Sequence, residues 1–591
     1  MRRGWWGALP ETVLAMLQAR LAALAPESRR VLRAASVFGN VFWGSAVEAL
    51  LGRDADGYSP TITRTAPPSW LSPAITADVP ARIELLVAEE FFERRRSENR
   101  FPRETELVFR HALVRDAAYA MLTPADLKAG HRLAGRWLER AGETDPRVLA
   151  EHFERGGKLD RASYHLCNAA VAALEAHDFT AVVALATRAE RAGLEDAVVL
   201  GRLKLLSAEA HRWRGDFVEA ARAAEVAVEA LPRGSASWFR AVDEAMTAAG
   251  RRGDQRHAAT WREQLVLVPY EEGARGARLM AIASAGRRMF QAGDYDSALE
   301  ILAVVDEELA AWGEAAEPHA VAEVHRLRGA RARQVGDVAG DIRCYQRALQ
   351  ATVAAGDHRN AANVRVSLGF AYIELGAFRP ARKELTRALE ESERLKIDTV
   401  STRARQNLAW LLGQGGLFDE SIPMLEQVVK ESRAAGNTRF EGWTELYSSW
   451  VLRESGDARA SLDRAERAAS MLVETPPAYA SALACKALAL VSLGAPEDGD
   501  LAASEALEIL RSYGGIEEFE SLVWRASIVA ARALGDQARA AELLREARER
   551  LDARAAGIDD ADLRASFLTN VLDNARILDE HTEPPWVARR R

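Results

Sequence analysis

Apolar and small residues recur with a helical period along most of the chain, and from roughly residue 200 onward one unit keeps returning. The clearest copy, residues 368–390, reads LGFAYIELGAFRPARKELTRALE, two apolar-periodic segments separated by a turn at Gly376. If His177 is counted as a degenerate first member, similar turns follow every 38 to 43 residues. They fall at His177, Gly215, Gly253, Gly293, Gly336, Gly376, Gly416, Gly456, Gly494 and Gly535. The pattern predicts a stack of antiparallel helix hairpins.

The residues around each turn have fixed offsets that make physical sense. Glycine suits the left-handed residue that ends a helix, and an aspartate directly after it can cap the next helix. The following aspartates are Asp216, Asp254, Asp294, Asp337, Asp457 and Asp536. Seven residues before the turn the side chain is usually small, which allows two helices to approach closely. These positions are Ala208, Gly286, Gly329, Gly369, Ala409, Ser449 and Ala487.

This unit resembles the tetratricopeptide repeat, whose usual length is about 34 residues. The present copies are longer, and Tyr372 and Trp524 occupy the aromatic positions of the family in two of them. The resemblance implies an α-α superhelix in which the first helix of each hairpin lines a concave groove. The alternative is an irregular helical bundle.

Residues thirteen, ten, six and three before each turn are then expected to face the groove and bind a partner. Arginine and aromatic side chains are the types enriched at binding hot spots, and they stand at several of these positions. The predicted groove residues are Arg212, Arg326, Arg333, Asn363, Phe370, Arg403, Gln406, Trp410, Trp443 and Trp450. For single residues such as Trp410 and Trp450, the competing interpretation is that they fill space between longer helices.

The first 125 residues follow a different pattern. Helices are predicted over 9–24, over 25–39 and, as a third short helix, from Val41. Residues 53–80 carry five prolines without periodicity and are predicted to be a loop insertion. A helix around 83–90 leads into FFERRR and LVFRHALV, two short segments typical of a hairpin. Helices followed by a hairpin suggest a winged helix.

Three segments resemble the region behind the ATPase of bacterial STAND-type signalling proteins: residues 9–43, FRHALVRDAAYAML at 109–122 and HRLAGRWLE at 131–139. In those proteins, often fused to a Ser/Thr kinase, a winged helix precedes a tetratricopeptide superhelix. Residues 560–580 look like the closing helix of the kinase-fused members. We expect a mainly α fold: a winged-helix-like domain over 1–125, a helical lead-in over 126–195, the superhelix over 196–557, and a terminal helix and tail over 558–591.

The enzymatic modules of those relatives have no counterpart in the sequence. No GxxxxGK[ST] phosphate loop and no HRD or DFG kinase motif occurs. HExxH, zinc-type His/Cys spacing and GxSxG are also missing. We therefore predict no catalytic residue, no cofactor and no metal site. The chain is expected to be the regulatory half of such a protein, acting alone.

The grouping of charged residues in FRHALVRDAAYAML could suggest an active site, but no convergent second carboxylate or nucleophile is nearby. The favoured interpretation is structural, at the junction between the wing and the next helix, with an interdomain or nucleotide-sensing contact as the alternative. Arg94, Arg95 and Arg96 lie in the predicted wing. They could meet DNA phosphates, or they could be charges that protect a solvated strand edge.

Composition agrees with a cytoplasmic interaction protein. The net charge is −8, the three cysteines are far apart, and no stretch is long and apolar enough to span a membrane. We predict a non-enzymatic scaffold in bacterial signal transduction that binds a protein or peptide in its groove, with a separately encoded kinase or ATPase as a possible partner. Nucleic acid and membrane are not expected partners. Two alternatives remain open: a DNA-binding transcription regulator, and the remnant of a truncated kinase–ATPase protein.

Overall fold

The computed structural model describes residues 16, 19–52, 78–95, 100–194, 196–252, 254, 261, 264–516, 518–579 and 582. Its internal contacts divide the chain into two compact units. The first comprises residues 1–176 and 184–200, and the second comprises 177–183 and 201–591.

The first unit begins with short helices and strands and continues with longer helices. Its elements are α1 (Pro26–Ser36), β1 (Val41–Trp43), α2 (Gly44–Leu50), α3 (Val79–Ala88), β2 (Phe92–Arg94), β3 (Glu106–Phe109), α4 (Ala112–Ala120), α5 (Pro124–Ala141), α6 (Pro146–Arg155) and α7 (Leu159–Glu175). The helix α8 (Phe179–Arg191) contains the point at which the contacts divide the chain.

The three strands form an antiparallel sheet in the order β1-β3-β2. Phe42 pairs with Leu107, and Phe92 pairs with Phe109. The Phe42 ring centroid lies 4.6 Å from that of Phe92 and 5.4 Å from that of Phe109, so one face of the sheet carries an aromatic cluster. These side chains are buried against α1 to α4, because alternate strand residues point to the same face.

Two expectations for this region need correction or restriction. Val41 begins the strand β1, and the helix expected there starts only at Gly44. The β-branched and aromatic residues Val41–Trp43 fit an extended backbone that pairs with β3. The Pro-rich insertion expected over 53–80 lies outside the described residues except at 78–80, where α3 already begins at Val79. The helix expected over 9–24 is described at 16 and 19–24, and residues 16 and 19–22 are helical.

The second unit consists of helix hairpins. Its helices are α9 (Ala197–Arg214), α10 (Phe217–Ala230), α11 (Ala236–Arg251), α12 (Arg275–Ala292), α13 (Tyr295–Trp312), α14 (Pro318–Gln334), α15 (Val338–Ala354), α16 (His358–Glu374), α17 (Phe378–Arg394), α18 (Asp398–Gln414), α19 (Phe418–Ala434), α20 (Thr438–Ser455), α21 (Ala458–Leu472), α22 (Pro476–Ser492), α23 (Pro496–Tyr513), α24 (Glu520–Ala533), α25 (Gln537–Ala556), α26 (Ala561–Thr569) and α27 (Leu572–Leu578). The expected mainly α repeat array is confirmed.

The predicted turn residues have the predicted backbone conformation. His177 and the eight described glycines of the series all have φ between 59° and 101°, and Gly253 lies outside the described residues. Four of the following aspartates cap the next helix by accepting a hydrogen bond from the backbone N–H three residues on. These are Asp294, Asp337, Asp457 and Asp536. Asp216 makes no such bond and instead pairs with Arg214 at 3.3 Å.

The small residues seven positions before the turns lie where the two helices of a hairpin touch. A Cβ on Gly369 would stand 2.6 Å from Leu385 Cγ, and one on Gly286 would stand 2.7 Å from Ile301 Cγ2. Both distances are far below a normal carbon–carbon contact of about 3.5–4.0 Å. Glycine at these positions therefore sets the spacing of the hairpin.

Candidate functional site

The hairpins of the second unit wind far enough for widely separated repeats to touch. Arg439 donates from Nη2 to the main-chain oxygen of Gln291 at 2.6 Å, across 148 residues of sequence. Asn570 donates from Nδ2 to the main-chain oxygen of Gly376 at 3.0 Å, across 194 residues. Because the repeats meet in this way, their inner surface encloses a cavity.

This cavity has a volume of about 570 Å³ and is lined mainly by the first helices of successive hairpins. The residue thirteen positions before the turn lines the cavity in six consecutive repeats. These residues are Arg240, Met280, Glu323, Asn363, Arg403 and Trp443. Since each repeat is rotated only slightly against its neighbour, equivalent positions form a continuous ladder of side chains.

Eight of the ten predicted groove residues line this cavity. They are Arg212, Arg326, Arg333, Asn363, Phe370, Arg403, Gln406 and Trp443. The structure thus brings together side chains that are up to 231 residues apart in sequence, from Arg212 to Trp443 (443 − 212). Their role in binding stays a prediction.

Trp410 and Trp450 differ from the expected placement, because they do not line the cavity. They are 2% and 0% exposed, and their ring centroids are 4.8 Å apart in an edge-to-face contact. The Trp450 indole N–H donates to Asp573 Oδ2 in α27 at 3.0 Å. Both side chains fill the space between helices, so a ligand in the cavity does not reach them.

Several arginines of the cavity wall are paired with carboxylates at one end of the cavity. Arg212 Nε lies 2.6 Å from Glu244 Oε2, and Arg240 Nη2 lies 3.0 Å from Glu209 Oε2. Burial raises the pKa of the Glu209 carboxyl, but Arg240 and Arg212 outweigh burial and bring the pKa below its usual value. Glu209 is therefore ionised and holds its arginine partners in place.

Other arginines of the wall have fewer acidic partners. Arg287 and Arg326 share the single carboxylate of Glu323, at 2.9 Å and 2.5 Å. Burial raises the pKa of the Glu323 carboxyl, but Arg326 and Arg287 outweigh burial and lower it to about 2. Arg403 donates to the side-chain oxygen of Asn363 and makes no ion pair with a described residue. Burial and the neighbouring Arg326 lower the pKa of the Arg403 guanidinium to about 10.

Carboxyl groups lie near the loop before α24. Glu518 lines the cavity and accepts a hydrogen bond of 2.9 Å at Oε2 from the Tyr447 hydroxyl. Burial and the nearby Glu518 raise the pKa of the Glu374 carboxyl to about 8. Glu374 is therefore largely protonated at neutral pH, and of these two carboxyl groups Glu518 is the one that lines the cavity.

The motif FRHALVRDAAYAML bridges β3 and α4 in the first unit. His111 precedes the helix, Arg115 pairs with the adjacent Asp116, and the Tyr119 hydroxyl lies 2.8 Å from His131 Nε2. His131 in turn lies 3.2 Å from His152, Nδ1 to Nδ1. These contacts join α4, α5 and α6, which agrees with a structural role for the motif.

The arginines of the predicted wing are engaged within the first unit. Arg94 pairs with Glu84, and Arg95 Nη1 lies 3.3 Å from Glu106 Oε2. Arg96 lies outside the described residues. Both described arginines thus have carboxylate partners at the edge of the sheet.

Sequence reasoning missed several cavity residues, and a pattern could have found most of them. Arg287 stands six positions before Gly293, where the same offset rule applies. Arg359 and Arg439 stand seventeen positions before Gly376 and Gly456. This is one helical turn further from the glycine than the position at thirteen, and the long repeat unit makes room for it. Arg251 follows no repeat offset and is found only in the structure.

The described residues contain neither a cluster of metal-ligating side chains nor a membrane-spanning helix. Within the described ranges, no group of three or more histidine, cysteine, aspartate or glutamate side chains is placed to hold a metal ion. No helix in the described part of the chain is long and apolar enough to cross a membrane.

Comparison with known proteins finds similarity only at the level of structure. No family model matches the chain, and no curated protein matches it. A Rap protein complexed with Competence and Sporulation Factor is 11% identical, covering 60% of this chain and 100% of its own, with a TM-score of 0.43. NprR in complex with its cognate peptide NprX is 10% identical, covering 57% and 99%, with a TM-score of 0.41.

A third similar structure is a STAND protein with a tetratricopeptide repeat sensor from Pyrococcus horikoshii. It is 13% identical, covering 88% of this chain and 67% of its own, with a TM-score of 0.35. Similarity at this level does not decide a function, which has to come from the residues of this chain.

Proposed function

We propose that the second unit is a non-enzymatic interaction module that binds a peptide segment of a partner in its cavity. The observation that carries this proposal is the ladder of six side chains, one from each of six consecutive repeats, along a single polar cavity. Its volume of about 570 Å³ lies within the usual range for ligand pockets, about 300–1,000 Å³, and suits a short extended segment better than a folded domain.

The chemistry of the wall supports a peptide ligand. Asn363 and Gln406 offer amide groups that can pair with a peptide backbone, and Trp443 and Phe370 offer apolar contact. Arg403 offers a guanidinium that no described carboxylate neutralises. The polar groups can fix the orientation of a bound segment, and the aromatic side chains add contact area.

We further propose that this module works in bacterial signal transduction, with the first unit coupling ligand occupancy to a separately encoded kinase or ATPase. The first unit begins with a helix, a strand, two helices and two strands, and its antiparallel sheet has the order β1-β3-β2. This arrangement supports a winged-helix-like first unit. The three cysteines are free thiols, which agrees with a cytoplasmic location. The carboxylate pairing of Arg94 and Arg95 disfavours DNA binding.

The test is a peptide-display selection against the full chain, followed by calorimetric titration of the enriched peptides. Asn363→Ala and Trp443→Ala are expected to weaken binding at least tenfold, since each removes a cavity contact. Arg545→Ala is the control, because Arg545 lies on the exposed face of α25. If no sequence is enriched, or if both cavity variants bind as the control does, the cavity is not the binding site.

A further inference from the structure

An arginine cluster with too few carboxylates lies on the cavity wall. Arg251, Arg287, Arg326 and Arg403 all line the cavity, and they come from four different repeats. Arg251 and Arg287 also line a second cavity of about 340 Å³, which shares these residues with the first. The cluster therefore stands where the two cavities adjoin.

The hydrogen bonds of the cluster leave positive charge unbalanced. Among the described residues, Glu323 is the one carboxylate that pairs with it, accepting from Arg287 and Arg326. Arg403 bonds to the neutral amide of Asn363, and the Arg251 guanidinium makes no hydrogen bond or ion pair with a described residue. Counting the ion pairs of the described residues, four guanidinium groups against one paired carboxylate leave three positive charges (4 − 1).

Two other carboxylates of the main cavity are paired with different arginines, and Asp294 and Glu474 line the second cavity. Asp243 Oδ1 lies 2.5 Å from Arg288 Nη2, and Glu244 pairs with Arg212 at 2.6 Å. Burial together with Arg403 and Arg439 lowers the pKa of the Arg251 guanidinium well below its usual value, which shows how unfavourable its charge is in this place. A buried cation without a partner destabilises a fold, so an anion bound here would offset the cost.

We propose that Arg251, Arg287, Arg326 and Arg403 form an oxyanion subsite that binds a phosphoryl or carboxylate group of the ligand. Guanidinium groups match the planar, two-oxygen geometry of both kinds of group, and several of them can share one anion. The identity of the ligand as a peptide rests on the function proposed above. The oxyanion subsite itself does not, because a free anion can be tested alone.

The experiment measures thermal unfolding of the full chain with inorganic phosphate or acetate, at ionic strength matched with sodium chloride. We expect an anion-dependent rise in melting temperature beyond the chloride control. A larger rise with phosphate assigns the site to a phosphoryl group, and a larger rise with acetate assigns it to a carboxylate. An equal response to chloride would overturn the subsite.

Variants separate binding from folding. Arg403→Gln and Arg251→Gln are expected to weaken the anion affinity at least tenfold while leaving the melting temperature without anion unchanged or higher, because each removes an unbalanced charge. Arg403→Lys, which keeps the charge, is expected to restore part of the affinity, and Arg545→Gln serves as the exposed control. If the glutamine variants melt earlier and still respond fully to anion, the arginines are structural and the proposal fails. If phosphate or acetate binds but no peptide is found to bind, the oxyanion subsite is supported and only the peptide-binding function is refuted.

Discussion

The close approach of the two helices in each hairpin can be tested at Gly369, seven positions before the turn at Gly376. The side chain that packs over it is Leu385, on the partner helix α17. In Gly369→Ala the new Cβ would lie 2.6 Å from Leu385 Cγ and 2.8 Å from Cδ2. The Cγ atom is the branch point of a buried side chain, so relief requires a change of rotamer or a shift of the helix.

Two opposing effects decide the size of the change. Replacing glycine by alanine in a helix stabilises it by about 1 kcal/mol, because the unfolded chain loses freedom. Adding volume to a packed interface costs about 1–3 kcal/mol. We therefore expect Gly369→Ala to lower the free energy of unfolding by about 1 kcal/mol, and Gly369→Val to lower it further.

The assay is urea unfolding followed by circular dichroism, with Gly250→Ala as the matched control. Gly250 is also a helical glycine, but its added Cβ would lie 3.7 Å from the nearest atom, Arg288 Cδ, an ordinary contact. The control is expected to gain about 0.5–1 kcal/mol. If Gly369→Ala raises the unfolding midpoint as Gly250→Ala does, the helices do not need glycine at this position and the packing explanation is refuted.

Two further predictions concern buried polar groups of the repeat unit. Because the pKa of Glu374 is about 8 in the fold and about 4.5 when unfolded, the stability it contributes is complete below pH 4.5 and lost as pH rises to 8. At about 1.4 kcal/mol per pKa unit, Glu374→Gln should stabilise the protein by up to about 4–5 kcal/mol at pH 8.5 and change its stability little at pH 4.5. Urea unfolding at the two pH values measures this, and equal shifts of the midpoint at both would contradict it. Trp450→Phe removes the indole hydrogen bond to Asp573 and should cost about 2–3 kcal/mol. Hydrogen exchange in α27 should become faster, and unchanged exchange there would show that this bond does not hold the terminal helix.

Much of the fold follows from local sequence. Turn residues such as Gly376 and His177 were expected to be left-handed and are so, because a helix end needs a residue that tolerates positive φ. The offset rule placed Asn363 and Arg403 on the cavity wall, because a helical period fixes which residues share a face. Both inferences need only the chain within one hairpin.

Other features were decided only by tertiary structure. Trp410 and Trp450 obey the same offset rule but are buried. Trp410 packs against the rings of Tyr447, Trp450 and Phe519, and Asp573, 123 residues after Trp450, accepts the Trp450 indole hydrogen bond. The strand β1 exists only because it pairs with β3, 65 residues later from Val41 to Glu106 (106 − 41). No local pattern carries information about partners at such distances.

The sequence by itself determined the helix hairpins, their period of 38 to 43 residues and the position, thirteen before the turn, that lines the cavity in six successive repeats. Only the tertiary structure decided that Arg251, Arg287 and Arg403 meet around one cavity. The physical reason is that the small rotation between neighbouring repeats accumulates along the array. Which distant repeats come into contact depends on that sum, and no single repeat encodes it.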